Sequence, residues 1–582
     1  MSRKRYDEEF KRNAVELLLS GVQDLKPLAR DLGVWPAMWA IKQIGGPVAV
    51  GMILVLLLSQ PNAVAADEED AKTETKTAFC VPLGQRQLFL DDYGIAKIEN
   101  LRRTMHQPVK KGAVIRPSFP AETAVQTRSA PAWDPEQKVF KLWLIVSGPG
   151  NASGTGYVES RDGLHWTKPI LRQKEVNGSL ENNLVTVDPK REWPANAMEN
   201  VVFDPDDPDA SRRYKGLGNC YDREPMVSPD GIHWKLLDVP RIPSSDESNL
   251  SYDTQTRTFI ATLKCGGPHG RSHALSTSKD FEHWTKPELI FHADELDQKL
   301  GLEDIMARFA DHTLQQPSYN IPASYNVDVY NLGVFRYEGL YIGLPSMFHQ
   351  TGKVPKDWPG FDDPRIPPEI LKAYRESGNW SGFHDVQLAC SRDLRNWERL
   401  GGRKPFIGSS PLGAGAYDLA CVLPPSCPVV RGEELWFYYT GGMNYGLVLN
   451  RGVDSDAFAI CLAILRRDGF ISLDAGEEEG TLLTKPFTMP GGTMFVNANA
   501  FKGEIRAQVL DKEGKALAMS VSMEGDQLRG ETQWQKGSIA NLKGQVVSIR
   551  FMIRNAAFYS YWFDENQHLP DPVGKKTGRA RE

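Results

Sequence analysis

Ser160-Arg161-Asp162-Gly163-Leu164-His165-Trp166 is the stretch on which the reading of the fold turns, because it returns three times. The later copies are Ser228-Pro229-Asp230-Gly231-Ile232-His233-Trp234, Ser278-Lys279-Asp280-Phe281-Glu282-His283-Trp284 and Ser391-Arg392-Asp393-Leu394-Arg395-Asn396-Trp397. The last gap is wide enough for two units. A unit of this length with strands on both sides is the mark of a β-propeller, whose blades are four-stranded sheets. Asp in such a turn caps backbone N–H groups while Trp packs between blades, so the motif is read as structural and not catalytic.

Between the copies lie five segments that read as the first two strands of a blade: 127–145, 199–217, 247–263, 326–344 and 417–439. Each ends in an apolar, aromatic run such as Phe140-Lys141-Leu142-Trp143-Leu144 or Leu435-Trp436-Phe437-Tyr438-Tyr439. The sequence therefore predicts an all-β fold, a five-bladed β-propeller over 85–475 followed by a small C-terminal β-sandwich over 476–564. In the sandwich, strands such as 504–510 and 546–551 alternate around the Asp511-Lys512-Glu513-Gly514 turn, and residues 565–582 read as a polar tail.

Composition agrees with this. The 582 residues exceed one ordinary core, and 51 Gly, 39 Pro, 14 Trp and 18 Tyr suit many short strands joined by turns. The net charge of −6 argues against a protein that binds nucleic acid through a basic surface. The seven cysteines contain no CxxC pair and no Cys/His cluster, so no metal site is expected; Cys421 and Cys427 read either as small buried residues or as a bridge in an oxidising compartment.

Two N-terminal signals follow each other. Residues 1–34 read as two short helices with Phe10, Ala14, Val15, Leu18 and Leu19 at helical spacing, and resemble the start of the helix-turn-helix of insertion-sequence transposases. Trp35-Pro36 stands where the DNA-reading helix should begin, so no specific nucleic-acid partner is expected. Residues 38–65 then show a lysine-bearing start, an apolar core at 48–58 and Ala63-Val64-Ala65, the order of a secretory signal peptide. The reading takes 1–37 as a fusion or start-site artefact, 66–84 as a linker, and the mature protein as secreted or periplasmic, with no stable membrane anchor once the signal is cleaved.

Residues 85–563 resemble a bacterial family common in planctomycete-type genomes and related to the five-bladed propeller glycosidases of glycoside hydrolase families 32 and 43. The resemblance rests on Leu88-Phe89-Leu90-Asp91-Asp92-Tyr93, Gln126-Thr127-Arg128-Ser129-Ala130, Asn200-Val201-Val202-Phe203-Asp204-Pro205, Asp246-Glu247-Ser248-Asn249-Leu250 and Phe487-Thr488-Met489-Pro490-Gly491-Gly492. It implies paired carboxylates that cleave a glycosidic bond in an oligo- or polysaccharide without a cofactor. It implies Glu247 as general acid and Glu199 as the opposing base or ring-holding carboxylate. Gln126-Thr127-Arg128 departs from the family, which carries a nucleophilic Asp in the first blade, and either Asp328 or Asp418, at the starts of the fourth and fifth blades, is the acid expected to replace it. Asp246 beside Glu247 and Asp418 at the start of the fifth blade are further candidates for holding the sugar. Asp91 and Asp92 are expected near the propeller's mouth. Arg128 and Arg271 read either as a clamp for a carboxylate on a uronic or sulfated sugar, since guanidinium pairs bidentately with such anions, or as surface salt bridges. Trp380 is a possible sugar platform or a core residue. A non-catalytic sugar-binding propeller is the competing reading.

N-terminal sequencing of exported protein is expected to give a chain that begins just after Ala65; a mature chain that still carries residues 1–37 contradicts the signal-peptide reading.

Overall fold

Each repeat folds into the same hydrogen-bonded turn. In the first, Ser160 Oγ accepts from the N–H of Asp162 and Gly163, Asp162 Oδ1 accepts from the N–H of Leu164 and His165 (both 2.8 Å), and Trp166 Nε1 donates to the Gly163 carbonyl at 3.1 Å. The Asp and Trp bonds recur in the other three. The residue after Asp takes the left-handed conformation: glycine in the first two, but Phe281 (φ 67°) and Leu394 (φ 66°) in the others. A non-glycine residue there costs roughly 1–2 kcal/mol. Burial of the Phe281 and Leu394 side chains offsets that. The turns also staple neighbouring blades: Trp143 Nε1 donates to Gly231 O (2.7 Å) and the Tyr438 hydroxyl to Gly163 O (2.8 Å).

The computed structural model describes residues 79–565 except 119–121, 149–150, 192–197, 355–356, 363, 365–367, 369–370, 373–374, 376–379, 414 and 446–455. The helical fragment, the signal peptide, most of the linker and nearly all of the polar tail lie outside the described residues. The chain divides into Met1–Thr77 and Ala78–Glu582, and every described residue belongs to the second unit.

Five antiparallel-rich sheets of four or five strands succeed one another along the chain. Their innermost strands are Ala124–Gln126, Met198–Phe203, Ser248–Asp253, Asn326–Tyr337 and Cys421–Leu423. The fifth blade is completed from the other end of the chain: Val109–Ile115 pairs with Phe458–Arg466, Ile115 opposite Ile460 and Val109 opposite Ile464. This closes the ring.

A polar or acidic residue at the start of each blade suggests, from sequence, a lined central channel. Many of these residues are instead buried and spent on bonds to the next blade. Val201 N–H donates to Ser129 Oγ (2.9 Å), Asn200 Nδ2 to Ser248 Oγ (2.9 Å) and Asn249 Nδ2 to Asn331 Oδ1. Ser346 Oγ donates to the Val422 carbonyl (2.8 Å), and Thr127 N–H to Thr440 Oγ1 (2.9 Å). These five bonds link all five blades in a circle.

The remaining strands form one hydrogen-bonded set of twelve. It includes three strands from the region that the sequence reading placed at the start of the propeller. Gln87–Leu88 pairs with Ala556–Asp564, Ile95–Glu99 with Gly480–Thr484, and Arg102–Met105 with Ile471–Ala475. Short charged strands such as Ile-Ala-Lys-Ile-Glu carry no turn motif that would assign them to a blade. The long strand Thr493–Leu510 switches phase, since Met494, Val496, Ala498 and Ala500 face the core first and Ile505, Ala507 and Val509 afterwards. The switch lies at a register shift between Ala500 and Ile505, where a Cβ on Gly503 would run into the Arg554 carbonyl. The α-helix Glu295–Ala310 follows blade three; Asp294 and Asp297 form its capping box, and Arg403 and Arg399 pair with the two acids. All seven cysteines are free.

Propeller and C-terminal module meet at Asp468. Its carboxylate is fully buried and accepts from Arg86 (2.7 Å), the Tyr337 hydroxyl (2.7 Å), Ser560 Oγ (2.5 Å) and Asn497 Nδ2 (3.3 Å). Burial pushes its pKa up, but Arg86 and these hydrogen bonds outweigh that and hold it below the ordinary range. Asp468→Ala, which leaves the buried Arg86 with only the partly exposed Glu433 (3.1 Å) as a charged partner, is expected to cost about 3 kcal/mol in denaturant unfolding. Because the folded pKa is depressed, the wild-type contribution is full above the unfolded carboxylate's pKa, about 3.9, and fades as pH falls through the folded value, so the gap between the two proteins should narrow in acid.

Candidate functional site

Thr127 and Arg128 follow the first blade's inner strand, Glu199 lies within the second, and Asp246 and Glu247 precede the third. The ring brings Arg128, Glu199 and Glu247 together with Arg223, which precedes Glu224–Ser228 of blade two. Arg128 grips Glu247 with two parallel bonds, Nε to Oε2 at 2.8 Å and Nη2 to Oε1 at 2.6 Å. Its remaining Nη1 donates to the Thr127 carbonyl at 3.0 Å, and Asn331 Nδ2 reaches Glu247 Oε2 at 3.4 Å. Arg223 Nη1 lies 2.8 Å from Glu199 Oε2, yet off the hydrogen-bonding direction, so that oxygen keeps no donor.

The two glutamates are pushed apart electrostatically. For Glu247, burial alone would raise the pKa, but the charges of Arg128, Lys264 and Arg223 and the Arg128 hydrogen bonds bring it down to about 2. For Glu199, burial raises the pKa, the charge of Glu247 adds to the rise, and the misaligned Arg223 does not cancel it. This arrangement does not suit the proton-donor role that the family resemblance implies for Glu247, because a donor must carry its proton at working pH.

Beside this group, blades three and four contribute a second one. Lys264 pairs with Asp246 at 2.8 Å and sits 3.8 Å from the centre of the Tyr330 ring. Arg271 pairs with Asp328 at 2.9 Å, and Gln350 Nε2 donates to the same Asp328 oxygen at 2.8 Å. Burial raises the Asp328 pKa, against the pull of Arg271. His384 stacks on Phe348 (centroids 4.5 Å apart) and meets Tyr330 and Tyr445 edge-on, with neither ring nitrogen hydrogen-bonded. Burial, then Arg271, pushes it well below the ordinary histidine value. Tyr330 is partly exposed, and desolvation of its hydroxyl, then the charge of Glu247, pushes it well above the ordinary tyrosine value.

Other candidates stand elsewhere. Asp92 is exposed and paired with Arg103 at the edge of the C-terminal module, and Asp91 pairs with Arg392 at 2.7 Å, so neither joins these two groups. Asp418 is buried in blade five against Lys110 (2.7 Å) and the Tyr439 hydroxyl (2.8 Å). Trp380 is half-buried with Lys353 over its ring. Arg223, Lys264, Tyr330 and His384 were missed from sequence: Arg223 sits in Asp222-Arg223-Glu224, and the others lie inside strands, where nothing marks them. A groove of about 850 Å³ beside Phe501 belongs to the C-terminal module and holds none of these acids. Among the described residues no group of three or more His, Cys, Asp or Glu is placed to hold a metal ion.

No protein-family model matches the chain, and comparison with curated proteins gives no match. Among solved structures, the Bombyx mori GH32 beta-fructofuranosidase is 10% identical, with 79% of this chain and 94% of that one covered and a TM-score of 0.34. A glycoside hydrolase family 43 arabinoxylan arabinofuranohydrolase from Bacillus subtilis is 9% identical over 78% and 99%, also at 0.34. A glycosyl hydrolase from Bacteroides ovatus is 13% identical over 66% and 97%, again at 0.34. Likeness at this level carries nothing about activity. The five-bladed fold stands on the strand pairings themselves.

Arg128→Met is expected to destabilise the protein by about 3–5 kcal/mol, since it strands the Glu247 charge in the interior. Arg128→Met with Glu247→Gln should cost less than Arg128→Met alone. A urea double-mutant cycle reads the difference, and additive losses contradict the pairing.

Proposed function

We propose that this protein is a carbohydrate-active hydrolase that cleaves a glycosidic bond with Glu199 as proton donor and Glu247 as the carboxylate that stays charged. The observation that carries this reading is the opposite displacement of two glutamates from adjacent blades within one buried charge group. Glycosidic cleavage needs one carboxyl that gives up a proton to the leaving oxygen and one that stays ionised to meet the positive charge developing on the sugar ring, or to activate water. Environments that push paired acids apart assign those roles. Burial favours the protonated form of Glu199, and the Arg128 fork and Lys264 favour the ionised form of Glu247. The partly exposed rings of Tyr330 and Tyr445 supply flat apolar surface of the kind against which sugar C–H faces pack. Export through the signal at 38–65 would bring such an enzyme to extracellular or periplasmic glycans.

One observation favours the second reading, a non-catalytic sugar-binding propeller. Arg128 stands where the resembled glycosidases carry a first-blade acid, and its fork occupies both oxygens of Glu247.

Glu199→Gln should lower turnover by about 10²–10⁴-fold, the usual worth of a positioned acid. The loss should shrink on aryl glycosides, whose departing phenolate barely needs a proton, whereas Glu247→Gln should harm good and poor leaving groups alike. The pH profile carries the same signs. Activity should fall as pH rises through the elevated Glu199 pKa, and no acid limb from Glu247 should appear until about pH 2. Hydrolysis that survives both substitutions refutes the assignment. Binding without hydrolysis across a broad glycan screen favours the second reading.

A further inference from the structure

Four cations stand at the two groups of acids, and they are not equivalent. Arg128, Arg223 and Lys264 are 1%, 0% and 3% exposed, and each faces a carboxylate from within the protein. Arg271 is 26% exposed. Of its side-chain N–H groups, one bonds Asp328 Oδ2; among the described residues the others meet no acceptor. Its guanidinium lies over the Tyr330 and Phe348 rings, 5.6 and 5.5 Å from their centres. An accessible guanidinium fork beside aromatic rings matches an oxyanion carried on a sugar ring, since its N–H groups can meet two oxygens of a carboxylate or of a sulfate ester.

We propose that Arg271 seats an oxyanion carried by the sugar, so that the substrate is an acidic glycan bearing a carboxylate or a sulfate ester. The proposal rests on the reading of the channel as a carbohydrate site and names its substrate class. Arg128 is excluded from the clamp that the sequence suggested, because Glu247 already fills its fork. Asp328 would then share Arg271 with the incoming anion. Two features ease that conflict: Asp328 Oδ1 has no donor, and burial already biases this carboxyl towards its neutral form. His384 presents two unpartnered ring nitrogens beside the same aromatic rings, ready for a sugar hydroxyl once the rings part.

The test is calorimetric binding of the full chain to oligogalacturonate, oligoglucuronate, oligomannuronate and sulfated galactan oligosaccharides, each beside its carboxyl-reduced or desulfated counterpart. At least one acidic ligand should bind about tenfold or more tightly than its neutral partner. The carboxylated and sulfated arms tell the two anions apart. Arg271→Gln should erase the preference, and Arg271→Lys, which keeps the charge without the fork, should restore part of it. Equal binding of acidic and neutral partners overturns the proposal without needing any variant. Binding or cleavage of neutral glycans alone overturns it too, and leaves the glycosidase reading standing. No binding to any glycan overturns both.

Discussion

The circle of buried side-chain hydrogen bonds from blade to blade is the constraint on which everything else depends. Each bond joins a hydroxyl or amide on one blade to a polar group on the next, where water cannot compete. An unpaired group at such depth is expensive, so the blades must settle at one rotation and one height to satisfy all five contacts. That shared register lets Arg128, Glu199 and Glu247, drawn from three blades, occupy one small volume. A slip of a single blade would part the Arg128–Glu247 fork.

Much of the fold is legible because the Ser-x-Asp turn is a self-contained device. Its hydrogen bonds are local, its Trp reports packing between blades, and its spacing reports blade size. The N-terminal strands are illegible for the opposite reason. Ile95–Glu99 and Arg102–Met105 are short and charged, and their partners lie hundreds of residues away. The helix Glu295–Ala310 announces itself only through the Asp294/Asp297 capping box, in the interval between the third repeat and the fourth blade segment.

The site divides along the same line. Glu199, Glu247 and Asp328 are visible through the family resemblance, which places acids where successive blades begin. Their charge states are not visible, since these depend on Arg223, Lys264 and the direction from which each cation approaches. The geometry around Glu247 shows the point: its place in the sequence suits a donor, whereas the Arg128 fork favours its ionised form. Burying Arg128, Arg223 and Lys264 beside carboxyl groups is a costly way to stabilise a protein, because desolvation consumes most of the attraction. Such a group persists more readily where it serves a task than where it merely holds blades together.

The strand that closes the ring also has a history in time. Val109–Ile115 leaves the ribosome long before Phe458–Arg466, the strand it pairs with, has been made. At synthesis rates of about 5–20 residues per second, the wait is roughly 20–70 s. A waiting strand is an open invitation to other nascent chains, and this one is poorly suited to accept. Its sequence is Val-Lys-Lys-Gly-Ala-Val-Ile, with two lysines and a glycine in seven residues and Val109 exposed even after docking. Charge and glycine in an edge strand discourage premature pairing. The latch is thus written to stay idle until the last blade arrives.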